Sequence, residues 1–188
     1  MRKLKLQMQI TVDGFVAGPN GELDWVTWEM GEKINEYISE LMNTSDTILM
    51  GRKMTKEFVT YWENVFDNQP DSPEHPFAQK MVDLPKIVFS KTVDHIDGRN
   101  VRVENGDLVE KVNELKNQDG KDLIVYGGAS FVSSLIEHNL IDELNFFIHP
   151  VAIGEGLRIF SGRTKLKLII SQSNNTGIVI NTYVPVKE

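Results

Sequence analysis

No cysteine occurs among the 188 residues. Disulfides, thiolate metal sites and cysteine nucleophiles are excluded together by that absence. Histidine is scarce as well. His75, His95, His138 and His149 have no spacing that would assemble a metal site, and most of them read as surface residues. No apolar run approaches the roughly 18 residues of a membrane-spanning helix. Met1 to Gln9 is basic at first but interrupted by polar residues where a secretion signal needs an unbroken apolar stretch, so a cytoplasmic protein without membrane partners is expected. Positive charge is also in short supply, with 20 Lys and Arg against 27 Asp and Glu. A general nucleic-acid surface is therefore not expected, because affinity for a phosphate backbone rests on clustered cations. A small phosphorylated ligand needs only a few cations and some backbone N–H groups.

What is present is ordinary globular composition, 25% charged and 40% hydrophobic, in a length that fits one domain spanning residues 1–188. Leu4 to Val12 alternates, with Leu4, Leu6, Met8, Ile10 and Val12 on one side, as a strand with one buried face does. Asp13-Gly14 and then Gly18-Pro19-Asn20-Gly21 open a long irregular loop before Trp25. Helical spacing of Ile34, Ile38, Leu41 and Met42 predicts a helix from Gly31 to Met42. Asp46 to Met50 is a short strand ended by Gly51, and a helical pattern runs from Lys53 to Trp62.

Asn64 to Phe77 carries Pro70, Pro73 and Pro76 and is expected to be a surface excursion, more readily a solvated loop than a lid over substrate. Strands follow at Lys86 to Phe89 and Asn100 to Val103, a helix at Asp107 to Asn117, and a wholly apolar strand at Leu123 to Tyr126. Gly127-Gly128 breaks the chain before a helix from Ala129 to His138 that presents Phe131, Val132, Leu135 and Ile136 inward. Leu144 to Ile148 returns as a strand. Lys165 to Ser171 and Ile178 to Val184, separated by Asn174-Asn175-Thr176-Gly177, predict a hairpin. The fold class is α/β: one mixed, mainly parallel sheet with helices on both faces and an antiparallel C-terminal hairpin.

In such a sheet ligands gather beyond the carboxyl ends of the strands, where helix N-termini direct unpaired N–H groups. Three junctions offer that chemistry. At the first, Gly51 admits a ligand to the backbone, Arg52 can present its fork to a phosphate, and Thr55 adds a hydroxyl one turn later. At the second, Ser90 and Lys91, followed by Thr92, supply hydroxyls and a cation, a seat for a ribose 2'-phosphate. At the third, Gly127, Gly128, Ala129, Ser130 and Phe131 join a buried strand to an amphipathic helix, as suits an anion approaching closely. Each junction also has a purely structural reading, as a tight turn or a strand end. Ser130 lacks the second glycine of a nucleophile elbow, which removes a hydrolase reading.

With these segments in order, the chain resembles the dihydrofolate reductase superfamily, and more closely its branch containing the reductase domain of bacterial riboflavin biosynthesis. The resemblance rests on Thr11 to Ala17, Asp24-Trp25-Val26-Thr27, Asp46 to Thr55, and above all Val125-Tyr126-Gly127-Gly128, Leu140 to Leu144 and Pro150 to Gly156. It implies a three-layer dihydrofolate-reductase-like sheet, a homodimer, and NADPH as hydride donor. By motif match, Gly51, Arg52 and Thr55 would lie near phosphates, Ser90 and Lys91 near the adenosine end, and Gly127 to Phe131 around the pyrophosphate. Asp13, which ends a strand beside the cofactor side of the sheet, reads as the catalytic polar residue facing substrate or as a simple Asp-Gly turn, and Trp25, with Thr27 as a further substrate-binding candidate, reads as a ring that stacks on substrate or as a loop aromatic plugged into the core.

The chain departs from its resemblances in two ways. The pocket carboxylate of dihydrofolate reductases, counted from Trp25, falls on Met30, with Glu29 and Glu32 nearby. The zinc deaminase ligands to which the riboflavin-type reductase is usually joined are absent. The expectation is an NADPH-dependent reductase of a small heterocycle, such as the 5-amino-6-(5-phosphoribosylamino)uracil reductase type. The alternatives are a catalytically silent nucleotide-binding sensor or partner protein, and dihydrofolate reductase itself.

Overall fold

The computed structural model describes residues 1–186; residues 187 and 188, included in the single-domain reading, lie outside the described residues. Among the described residues, eight strands form one sheet. In chain order they are β1 (Leu4–Thr11), β2 (Ser45–Gly51), β3 (Lys86–Phe89), β4 (Val101–Glu104), β5 (Asp122–Val125), β6 (Glu143–His149), β7 (Leu166–Ser173) and β8 (Val179–Pro185). Their spatial order is β4-β3-β2-β5-β1-β6-β8-β7. The first six strands of that row are parallel, and β8 runs antiparallel to both β6 and β7. The mixed sheet and the C-terminal hairpin are therefore as expected.

Five helices cover the sheet: α1 (Glu32–Asn43), α2 (Arg52–Asn68), α3 (His75–Asp83), α4 (Leu108–Asn117) and α5 (Ala129–Glu137). One core layer joins Leu4, Leu6 and Met8 of β1 to Val112 and Leu115 of α4 and Val132 and Leu135 of α5. The other joins Ile34, Ile38 and Leu41 of α1 and Met81 of α3 to Ile48, Ile124 and Phe147. Helices thus pack on both faces, and parallel strands in such a sheet are buried on both sides.

That double burial corrects the one-faced reading of β1. Lys5, Gln7 and Thr11 are buried too, in the layer opposite Leu4 and Leu6, whereas Val12 is exposed beyond the strand end. The expected excursion from Asn64 to Phe77 is also corrected. α2 runs on to Asn68 and α3 begins at His75, so the irregular stretch is only residues 69–74. Pro76 sits in the first turn of α3, where its missing N–H would have had no helical partner. Buried Lys86 closes the other end of α3, donating to the carbonyls of Met81, Val82 and Leu84 at 2.6, 3.1 and 2.8 Å.

The two ends of the sheet differ. At the amino ends of the strands, Arg2 pairs with Asp46, Lys5 with Asp122 at 2.8 Å, and Lys116 with Asp142 at 2.5 Å. These clasps seal that end with matched charge. The carboxyl ends carry glycines, helix N-termini and loops.

Candidate active site

The sequence-predicted junctions come together along that carboxyl edge. Ser90 and Lys91 follow β3, Gly51 ends β2, Gly127 follows β5, Asp13 follows β1 and His149 ends β6, and these strands are neighbours in that order. From β3 to β1 is three strand spacings, about 14 Å. An extended dinucleotide has that reach.

At the centre, the β2 and β5 ends interlock. Gly51 is the N-cap of α2 and Gly128 the N-cap of α5, and neither helix start has a side-chain cap. Gly128 has φ 81°, a backbone that favours glycine, and a Cβ there would stand 3.4 Å from the Gly51 Cα. Two helix N-termini with uncapped amides therefore lie side by side, the arrangement that holds anions. Arg52, in the first turn of α2, is exposed, and its side chain makes no hydrogen bond or ion pair among the described residues. It brings an unpaired cation to the first turn of α2.

Other expected contributors have internal work. The Thr55 hydroxyl is buried and donates to the Gly51 carbonyl at 3.1 Å, so it shapes the turn instead of presenting a donor outward. The Ser90 hydroxyl accepts from the N–H groups of Thr92 and Val93 at 3.1 and 3.2 Å. Lys91 Nζ donates to the carbonyls of Asn105 and Gly106 at 2.9 and 2.6 Å but remains exposed. Ala129 and Ser130 begin α5, with Ser130 exposed, and Phe131 stacks on Phe89 with centroids 5.3 Å apart.

Asp13, expected to face substrate, is turned to its own surroundings. Its carboxylate accepts from the Thr11 hydroxyl at 2.5 Å and from the backbone N–H groups of Ile153 and Gly154 at 3.1 and 2.8 Å. The Thr11 bond, ahead of the two amides, holds its pKa below the ordinary carboxylate value. It is a charged staple for the loop after β6, a poor proton donor at neutral pH.

Trp25 and Thr27 do reach the sheet, through His149, to which the sequence reading gave no role. His149 is only 1% exposed. It accepts at Nδ1 from the Thr27 N–H at 3.4 Å, approaches Gln9 Oε1 with Nε2 at 2.7 Å, and meets the Trp25 ring edge-on with centroids 5.5 Å apart. Burial lowers its pKa, which favours the neutral ring. Gln9 and His149 are 140 positions apart and belong to no motif; the signal that could have found them is the polar side of β1 (Lys5, Gln7, Gln9, Thr11) in a strand flanked by parallel neighbours.

Three further polar atoms are buried without a partner on this side: Gln7 Oε1, Trp25 Nε1 and Tyr126 Oη. Buried polar atoms are almost always satisfied, so such a group of exceptions marks a place where water or a ligand completes the bonding. Met30, which occupies the count of the pocket carboxylate, is buried among apolar side chains, and both Glu29 and Glu32 are exposed. The structure brings no carboxylate to that position from either glutamate.

The comparisons with known proteins agree with this architecture. The family model of the RibD C-terminal domain matches residues 2–180, and the chain belongs to that family, the riboflavin-biosynthesis branch of the dihydrofolate-reductase-like fold. The Bacillus subtilis protein YyaP, described only as uncharacterized, is 33% identical over 185 residues, covering 97% of this chain and 94% of its own. A structure from Shewanella sp. PV-4, provisionally assigned to riboflavin biosynthesis, is 20% identical with a TM-score of 0.75 and full coverage of both chains. A pyrimidine reductase-like protein from Corynebacterium diphtheriae is 14% identical with a TM-score of 0.64, over 100% of this chain and 93% of its own. At these identities the two structures speak for the fold.

Proposed function

We propose that the chain is an NADPH-dependent reductase of a small heterocycle, of the pyrimidine class named among its relatives, working in the cytoplasm as a homodimer. The observation that carries the reading is the free Arg52 beside two uncapped helix N-termini on adjacent strand ends. Backbone N–H groups at Gly128 to Ser130 and at the start of α2 would hold the pyrophosphate, and Arg52 would take a charge-assisted bond to a phosphate. Lys91 and Ser90, one strand further out, fit the adenosine end. Bound there, the dinucleotide supplies the hydride; the residues of this chain position it and the acceptor and exclude water.

The acceptor side lies over the ends of β5, β1 and β6, where Gln7, Trp25 and Tyr126 hold buried, unpartnered polar atoms and Thr27 is in the loop bonded to His149. These groups are neutral hydrogen-bonding partners, suited to a polar heterocycle. The lack of a carboxylate at Met30 weighs against a folate substrate. Self-association is assigned to β7, an eight-residue edge strand whose Leu168, Ile169 and Ile170 are 49%, 51% and 40% exposed. Long apolar edges of that kind pair with another chain unless they are guarded.

The test is fluorescence titration with NADPH and NADH, followed by a screen of NADPH oxidation against pyrimidine, pterin and small carbonyl compounds. Saturable NADPH binding with turnover of a pyrimidine supports the reading. Binding with no turnover across the panel moves the chain to the nucleotide-binding sensor, and no binding of either nucleotide removes both.

A further inference from the structure

Residues 23–29 lead from the turn at Gly18 to Glu22 toward α1. Among the described residues one hydrogen bond ties this stretch to the sheet, the Thr27 N–H to His149 Nδ1 at 3.4 Å. The same imidazole carries the edge of Trp25. Its far nitrogen, Nε2, lies 2.7 Å from Gln9 Oε1. An amide oxygen only accepts, so Nε2 bears the proton and Nδ1 is left as the acceptor that Thr27 requires; the reverse assignment would set N–H against N–H.

We infer that His149, fixed by Gln9 as its neutral Nε2–H tautomer, is the positioning residue that docks Trp25 to Thr27 onto the sheet, and that its protonation releases them. A second proton would sit on Nδ1 and face the Thr27 N–H, and the charge would occupy a ring that is 1% exposed. No charged group among the described residues compensates it. From β1 come Gln9 and Thr11, the register partner of His149, and Asp13 beyond them is turned to Ile153 and Gly154. From the loop come Trp25 and Thr27, with Asp24 and Glu29 exposed. Tyr37 of α1 and Thr182 of β8 are bonded to Asn145. Burial accordingly keeps the ring below its ordinary value of 6.5.

The inference rests on the reductase reading only for what the docked segment does, namely meet the acceptor. Its position is independent of that reading, and so is the test: NMR hydrogen exchange of the Thr27 amide in the protein without nucleotide, expressed as a protection factor so that intrinsic pH dependence drops out. Protection in the unmodified chain should fall about tenfold or more between about pH 8 and about pH 4, the loss expected when a donor faces a donor. His149→Phe keeps an aromatic ring without the acceptor, and its Thr27 protection should be low at every pH. Gln9→Glu sets a carboxylate against Nε2, stabilises the imidazolium, and should move the loss to higher pH. β1 and β6 amides report whether each variant folds. Should His149→Phe unfold, the pH series and Gln9→Glu still decide.

Protection that stays flat with pH in the unmodified chain, or a Gln9→Glu midpoint that does not move, overturns the inference. Failure of NADPH to bind would instead remove the reductase reading and leave this docking in place.

Discussion

A Cβ on Gly51 would stand 2.7 Å from the Cβ of Phe131, so the end of β2 and the first turn of α5 meet where no side chain fits. The glycine is required by packing before any ligand is considered. Gly51→Ala should cost about 1 to 3 kcal/mol by overpacking, and Gly128→Ala about 1 to 2 kcal/mol because its φ is left-handed. Urea denaturation measures both. Because the same contact sets the α5 N-terminus, both should also weaken nucleotide binding.

Asp13 links pH to stability. Its folded pKa lies below the ordinary 3.8, so its contribution is complete above that value and is lost as pH falls through the lower, folded value. Asp13→Asn should flatten the acid limb of a melting-temperature profile and loosen the Ile153-Gly154 loop. An unchanged acid limb would show that these bonds do not couple to folding.

Lys86→Met should be costly although methionine fits a core. Three carbonyls at the end of α3 lose their shared donor, a loss of about 2 to 3 kcal/mol for buried acceptors. Equilibrium unfolding reads it directly.

The β7 edge gives the test of assembly. Ile169→Lys adds a charge to an exposed strand whose only charged residue is Lys167. Sedimentation should move from dimer to monomer, with unfolding free energy per chain nearly unchanged. A monomer before substitution would refute the assignment to β7.

Much of this architecture is legible locally. Glycine after an apolar strand and before an amphipathic helix marks two of the three junctions, at Gly51 and at Gly127-Gly128, because turn chemistry and helix starts are short-range. The losses have equally definite causes. Polar Lys5, Gln7 and Thr11 look solvated in an alternating strand, yet β1 lies between two parallel neighbours and under helices on both faces. Pro76 reads as a breaker until its place in a first turn is known. Gly51 and Gly128 are legible as glycines, but not as each other's neighbours. The Gln9–His149 pair depends on two strands meeting from opposite ends of the chain, which no local pattern announces.

The free guanidinium of Arg52 beside the two helix starts is the centre of the functional reading, and titrating NADPH and NADH into the native chain and Arg52→Ala tests it most directly. The native chain should bind NADPH more tightly than NADH, and Arg52→Ala should weaken both, each by about 1.5 to 3 kcal/mol for a lost charge-assisted bond to a phosphate beside the two helix starts. Weakening of NADPH alone would move Arg52 to the 2'-phosphate; no effect on either would contradict the account.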